Sequence, residues 1–181
     1  MLAGCASPAS SASAPTAPST AIPSTSRPLP RFAPSVQSPL DARGLAPCDL
    51  LTSAQATELD LLPETAKAGI AGPAKTCTWD SRIGGGAAGL QMRTESELPV
   101  LDGIHLLKEA LVVFEPTEVA GHPAIHGDYT VDGACTIYTA IADYQILTTD
   151  GDLSGHTRPD KCAPSRRMAE LILSNLPPLR S

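Results

Sequence analysis

Aromatic residues are scarce in this chain of 181 residues: they make up 3% of it, with a single tryptophan. Any core must therefore depend on Leu, Ile, Val and Ala, and hydrophobic residues are 42% of the chain, which is enough for one. Basic residues are also few, and the net charge is −6. Phosphate contacts need a basic face, so the composition argues against nucleic-acid binding. No apolar run approaches the length of a membrane-spanning helix.

Catalytic and phosphate-binding motifs are also missing. No serine lies in a G-x-S-x-G elbow. Gly84–Gly86 lacks the Lys-Ser/Thr pair of a phosphate loop and predicts a hairpin turn. Asp150–Gly155 ("DGDLSG") resembles the start of a calcium loop, but the twelfth position, where a carboxylate should close the shell, is Lys161. We predict a polar turn there, and no cofactor.

Two pairs of polar residues could be sites, and each has a simpler interpretation. His122 and His126 are four residues apart, as a metal pair on a helix would be, but Pro123 and the apolar neighbours predict a strand. No third ligand is evident, so we predict no metal site. Glu115 and Glu118 could be paired catalytic carboxylates, but charges on an exposed strand edge, which deter aggregation, are far commoner. We predict no catalytic residues.

The first residues carry a distinctive pattern. Residues 2–5, "LAGC", have the apolar residue, two small residues and cysteine of a lipobox, the cleavage site of a lipoprotein signal peptide. We therefore predict that Cys5 is lipid-modified and that residues 1–5 are the remnant of a lipoprotein signal. Such a signal needs a charged and apolar leader, so we expect one to be encoded upstream of Met1. Full processing gives the cysteine the two or more acyl chains that stable anchoring requires.

A long segment rich in Pro, Ser, Ala and Thr follows. Residues 6–47 hold nine of the eighteen prolines and show neither a helical nor a strand period. Because such a segment buries little apolar surface, it cannot offset the entropy of ordering. We predict a disordered tether over 6–47 that joins the membrane anchor to a globular domain over 48–181.

Four cysteines remain once Cys5 is set aside. An even number in an exported chain indicates disulfides, and three pairings are possible. We favour Cys48–Cys77 and Cys135–Cys162, because each joins elements that are close in sequence. Zinc is the alternative, but the long gaps between the cysteines and the lack of a C-x-x-C pair disfavour it.

The remaining periodicity predicts an α+β fold. Thr52 and Gln55 fit a capping box at the start of the first helix, and "KTCTWD" places Cys77 and Trp79 together on the buried face of a strand. The predicted elements are a helix at 53–59, strands at 75–80 and 87–94, a helix at 98–109, strands at 112–120, 123–130, 134–142 and 144–149, and a helix at 160–175. This order predicts an antiparallel sheet with helices packed on one face.

The ordered motifs "PCDLLTSAQATEL", "CTWD", "VAGHPAI", "ACTIYTAI" and "NLPPL" resemble those of an actinobacterial lipoprotein family, the domain of unknown function DUF3558. The resemblance covers 48–179 and implies a cell-envelope protein with paired disulfides. It brings no catalytic residues.

Three functions are consistent with these patterns. We favour a non-enzymatic, sensor-like or binding module, anchored to the extracellular face of the cell membrane through Cys5, that recognises an envelope protein or a small ligand. The alternatives are an envelope hydrolase whose scattered site residues form no motif, and a structural or secretion-assembly component that docks through a sheet edge.

Overall fold

The computed structural model describes residues 31–83, 85–130, 135–152 and 160–180. Within these residues the centre is an antiparallel sheet with the spatial order β1-β2-β3-β7-β6-β5-β4. The strands are β1 (Lys67–Ala71), β2 (Ala74–Asp80), β3 (Ala87–Arg93), β4 (Val113–Val119), β5 (His122–Asp128), β6 (Cys135–Ala142) and β7 (Gln145–Asp152). The helices are α1 (Ser53–Glu58), α2 (Val100–His105) and α3 (Ala163–Asn175). The predicted α+β class with an antiparallel sheet is therefore confirmed.

One face of the sheet carries the main hydrophobic core. Leu90, Ile137 and Leu147, which lie on three neighbouring strands, are fully buried there. The apolar stripe of α3, centred on Ile172, packs on this face, as the 3.6-residue period of the helix requires. Burial of this stripe is what makes the last helix predictable from its sequence.

The capping box of α1 is present as predicted. The Thr52 hydroxyl accepts a hydrogen bond from the Gln55 backbone N–H, and the Gln55 side chain accepts one from the Thr52 N–H. These bonds satisfy two of the backbone donors that a helix start leaves without partners. Local chemistry therefore fixes where this short helix begins.

The opposite face of the sheet is covered only in part. Ile125, Ala140 and Ile146 form a second, smaller apolar cluster with Val100 and Ile104 of α2. The prediction of helices on one face holds for α1 and α3, but α2 lies on the other face. The reason is that three adjacent strands present apolar side chains there, and these need cover from water. Among the described residues, no helix covers the β3 side of this face.

The folded domain begins earlier than the predicted boundary at Cys48. Residues 31–47, predicted to be part of the tether, lie against the domain. Leu40 donates its backbone N–H to the carbonyl of Ile141 at 2.7 Å, and Ala42 is fully buried in the main core. The partners of this segment are far away in sequence, so its local composition could not reveal them.

The acidic side chain of Asp102 on α2 holds the start of this segment. One of its oxygens accepts the backbone N–H groups of Phe32 and Ala33, each at 2.9 Å, and the other lies 3.2 Å from the Arg31 guanidinium. We expect Asp102→Ala to lower the free energy of unfolding by about 2 kcal/mol, because three charge-assisted contacts are lost. We also expect faster hydrogen exchange at Phe32 and Ala33.

The matched control for this prediction is Asp102→Asn, which keeps an oxygen acceptor. It should retain most of the protection of the Phe32 and Ala33 amides against hydrogen exchange. Unchanged exchange at both amides in Asp102→Ala would show that other contacts hold the segment.

Both predicted disulfides are confirmed. Cys48–Cys77 joins a 3₁₀ turn at Pro47–Leu50 to β2, and Cys135–Cys162 joins the start of β6 to the residue that precedes α3. Cys5 and the tether up to residue 30 lie outside the described residues. No helix within the described part of the chain is long and apolar enough to cross a membrane.

Two predicted elements differ from the observed ones, and one observed strand was not predicted. The helix predicted at 98–109 ends at His105, and Leu107, expected on its buried face, is 44% exposed. A strand that was not predicted, β1, lies at the edge of the sheet with every residue exposed. Asp150–Asp152, predicted to open a polar turn, instead belongs to β7, and the rest of that turn lies outside the described residues.

Candidate functional site

The uncovered part of the second sheet face forms a groove of about 400 Å³. Side chains on β3, β7 and β6 lie there in two cross-strand rows, Gln91-Thr148-Tyr138 and Gly89-Asp150-Thr136. The residues that line the groove are Gln91, Asp128, Tyr129, Thr130, Thr136, Tyr138, Thr148 and Asp150. We call this the Asp150 groove. It is almost entirely polar or aromatic, so it is built to contact water or a polar ligand and not to complete a core.

Asp150 is the middle residue of the second cross-strand row. Among the described residues its carboxylate has no hydrogen-bond or ion-pair partner, and burial raises the pKa of this carboxyl above its ordinary value. The residue opposite on β3 is Gly89, where an added Cβ would lie 2.7 Å from an Asp150 oxygen. The absence of a side chain at Gly89 therefore gives the carboxylate its place on the sheet.

Two tyrosines flank this carboxylate. Burial, followed by the charges of Tyr129, Asp128 and Asp150, raises the pKa of Tyr138, so its hydroxyl keeps its proton as a donor. Tyr129 is 59% exposed and presents its ring to solvent at the edge of the groove. An exposed ring beside a half-buried carboxyl and several hydroxyls can stack on a ligand while the polar groups orient it.

Asp128, the second carboxylate of the groove, is already held. One oxygen accepts the backbone N–H of Thr136 at 3.0 Å, and the other lies 2.8 Å from His126 Nε2. Asp128 therefore shapes the edge of the groove, whereas Asp150 is the carboxyl available to a ligand.

Replacing Asp150 by asparagine should raise the stability of the domain at neutral pH. The raised pKa means that the folded state binds this proton more tightly than the unfolded state does, so the charged carboxylate destabilises the fold above that pKa. The wild type should gain stability as the pH falls from the raised pKa towards the ordinary value near 3.8. Asp150→Asn should lack this gain, as urea denaturation across that range would measure.

Glu95→Gln, which removes an acid outside the Asp150 groove, is the control for the pH series. A variant at Asp150 that is less stable than the wild type at neutral pH would contradict the prediction.

A larger groove of about 590 Å³ lies at the opposite end of the sheet, around the β6–β7 turn. Two of its four charged side chains are paired: Arg43 contacts Asp41 through two hydrogen bonds of 2.9 Å, and Asp143 contacts Arg31 at 3.3 Å. The Arg31–Asp143 pair and the 3.2 Å hydrogen bond from Gln145 Nε2 to Asp41 attach the N-terminal segment to the domain, so we assign this groove a structural role.

A family model described as a protein of unknown function, DUF3558, matches residues 1–175. The chain belongs to the DUF3558 family. No curated protein and no solved structure matches it. The function of this DUF3558 protein must therefore be argued from its own side chains.

The histidines and glutamates singled out in the sequence lie on the β4–β5 side of the DUF3558 domain. His122 and His126 are both on β5, as predicted, but have different surroundings. The His122 ring lies 3.1 Å from the Ala140 carbonyl in the core, whereas His126 lies between Glu115 and Asp128. Glu115 and Glu118 lie on the edge strand β4, as predicted. From the sequence, no metal site was predicted at either histidine.

None of these four residues lines the Asp150 groove, although Asp128, which contacts His126, does. The groove leaves no motif in the sequence, because its residues come from four strands and the segment after β5 and have no common spacing. A usable signal was present: Thr136 with Tyr138, and Thr148 with Asp150, are polar pairs two residues apart, and the other residues of 135–142 and 145–151 are buried. Such alternation marks a strand with one face left open to water.

Proposed function

We propose that this DUF3558 protein is a lipid-anchored binding module of the cell envelope that takes a small, hydroxyl-rich ligand in the Asp150 groove. The observation that carries the proposal is the half-buried Asp150 carboxyl without a partner among the described residues. The net charge of −6 disfavours an anionic ligand. Tyrosine rings, threonine hydroxyls and a carboxyl together suit a neutral saccharide, which offers both donors and an apolar ring face.

The envelope location rests on two independent features. Disulfides form and persist in oxidising compartments, and this domain has two. The "LAGC" pattern supplies a lipidation site at Cys5, followed by a segment rich in Pro, Ser, Ala and Thr up to the first described residue, Arg31. A module held in this way would stay at the membrane and still reach a soluble ligand.

Binding can be tested by titrating the purified chain with a panel of neutral mono- and disaccharides while recording amide chemical shifts. We expect at least one sugar to shift signals from Gln91, Thr136 and Thr148, with at least a tenfold weaker affinity in Tyr129→Ala and Asp150→Ala. Tyr144→Ala is the matched control, because Tyr144 is 51% exposed outside the groove. No shift with any sugar, or equal binding by both groove variants, would overturn the proposal.

Anchoring can be tested separately by metabolic labelling with an alkyne fatty acid in cells that express the gene from its native locus. We expect the label on the wild type and on the control Ser7→Ala, and no label on Cys5→Ala. Equal labelling of the wild type and Cys5→Ala would refute the lipid anchor at Cys5. It would not affect the proposal that the Asp150 groove binds a ligand.

A hydrolase is the second candidate, because a carboxyl with a raised pKa could act as a general acid. We favour binding because the second carboxylate, Asp128, is held by His126 and Thr136 and so is poorly placed to act as a partner base. Cleavage of an envelope glycoside by the wild type that is lost in Asp150→Asn would favour the hydrolase instead.

A further inference from the structure

A histidine lies against one of the two disulfides, on the sheet face opposite to the Asp150 groove. The ligand atoms of His126, Cys135 and Cys162 all lie within 4.8 Å of one another. His126 Nε2 is 3.5 Å from the Cys162 sulfur. Ligands in one tetrahedral zinc shell are about 3.3–3.8 Å apart, given bond lengths of about 2.0–2.3 Å. The imidazole and this sulfur therefore already have the spacing of two ligands of one ion.

We propose that reduction of the Cys135–Cys162 disulfide converts this cluster into a zinc site formed by His126 Nε2 and the two cysteine sulfurs. In the oxidised protein the sulfurs are bonded to each other and cannot act as thiolate ligands. A dithiol reductant would transfer two electrons and two protons, which breaks the S–S bond, yields two thiols and leaves the reductant as a disulfide. Zn²⁺ would then displace the two thiol protons.

The surroundings of His126 fit a metal-binding imidazole. Its second ring nitrogen, Nδ1, lies 3.2 Å from a Glu115 oxygen. Carboxylates in this position hold the ring of a metal-bound histidine in place and increase its basicity. Three ligand atoms, the imidazole nitrogen and the two sulfurs, lie within 4.8 Å of one another, which leaves the fourth position of a tetrahedral ion to water. The set Cys₂His offers the N and S donors that zinc accepts.

Hydrogen bonds that do not involve the sulfurs hold the two cysteine backbones close together. The Ser165 hydroxyl on α3 donates to the Cys135 carbonyl at 2.7 Å, and the Thr149 hydroxyl on β7 donates to the Ser165 carbonyl at 2.8 Å. All three of these residues are buried. The contacts would persist when the S–S bond breaks, so the thiols would stay near His126. Among the described histidines, none has such a contact with the other disulfide, Cys48–Cys77.

The test is a titration of the full chain with Co²⁺, a visible reporter for zinc sites, with and without a phosphine reductant. We expect the reduced chain to bind one equivalent with the intense visible bands of tetrahedral cobalt and the near-ultraviolet band of a sulfur ligand, and Zn²⁺ to abolish both. The oxidised chain should show neither. His126→Ala should weaken binding by more than about a hundredfold, and Glu115→Gln by about tenfold.

His105→Ala is the matched control, since His105 stacks on Phe32 and meets Phe114 edge to face, and it contacts no cysteine. The comparison of the reduced wild type with reduced His126→Ala also covers the case in which reduction unfolds the chain. Thiols in an unfolded chain would bind cobalt equally well with and without His126. No binding by the reduced wild type, or the same affinity and spectrum in His126→Ala, would overturn the proposal.

Discussion

Replacing both Cys48 and Cys77 by alanine should lower the free energy of unfolding by about 3–4 kcal/mol. The bond closes a loop with a sequence separation of 29, and its loss returns that conformational freedom to the unfolded chain. Cys77 is also fully buried in the main core, so little else can compensate. A small domain is stable by only about 5–15 kcal/mol, so the loss is a large share of the total.

The measurement is urea denaturation followed by far-ultraviolet circular dichroism, with Cys5→Ala as the control. Cys5 takes no part in either disulfide, so its variant should unfold at the wild-type midpoint. The double variant Cys135→Ala/Cys162→Ala, which opens a loop of nearly the same separation, 27, should lose a similar amount. A change below about 1 kcal/mol in both double variants would show that native contacts, not cross-links, stabilise this domain.

The disulfide pairing could be predicted from sequence because each bond joins elements that are close along the chain. Strands β2 and β6 were predictable for a different reason: each is buried on one face, so its side chains alternate. Strand β1 was missed because Lys67–Ala71 is exposed throughout and carries no alternation. Periodicity reports burial, and an exposed edge strand leaves no such trace.

Contacts between residues distant in sequence explain the larger omissions. The segment 31–47 was assigned to the tether from its composition, yet Ala42 is fixed by a hydrogen bond to the Gln145 side chain, 103 positions away. The contact of His126 with Cys162 spans 36 positions and joins β5 to the start of α3. Neither contact leaves a local pattern, because each depends on the order of strands in the sheet.

The same limit applies to the Asp150 groove. Asp150 was noticed in the sequence, but as the first residue of a turn that resembled a calcium loop. Only the register of β7 against β3 places its carboxylate over Gly89, and only the register against β6 places it beside Thr136. A shift of one residue would move Asp150 to the other face of the sheet and destroy the groove.

Trp79→Ala should be the most damaging single substitution, with a loss of about 3–5 kcal/mol in the free energy of unfolding. Trp79 lies on β2, is 2% exposed and belongs to the main core together with Cys77. The sequence analysis predicted this position from the alternation of "KTCTWD". Because Trp79 is the single tryptophan, unfolding must be followed by circular dichroism and not by its fluorescence.

Two further variants separate packing from other effects. Trp79→Phe keeps an aromatic ring and should lose clearly less than Trp79→Ala, because the cost follows the volume of the cavity that is left. Tyr144→Ala removes an aromatic ring that is 51% exposed and should change stability by less than about 0.5 kcal/mol. If Trp79→Ala cost no more than Tyr144→Ala, the indole would not be a core residue. An exposed indole would then be a candidate contact for a ligand, in place of the Asp150 groove.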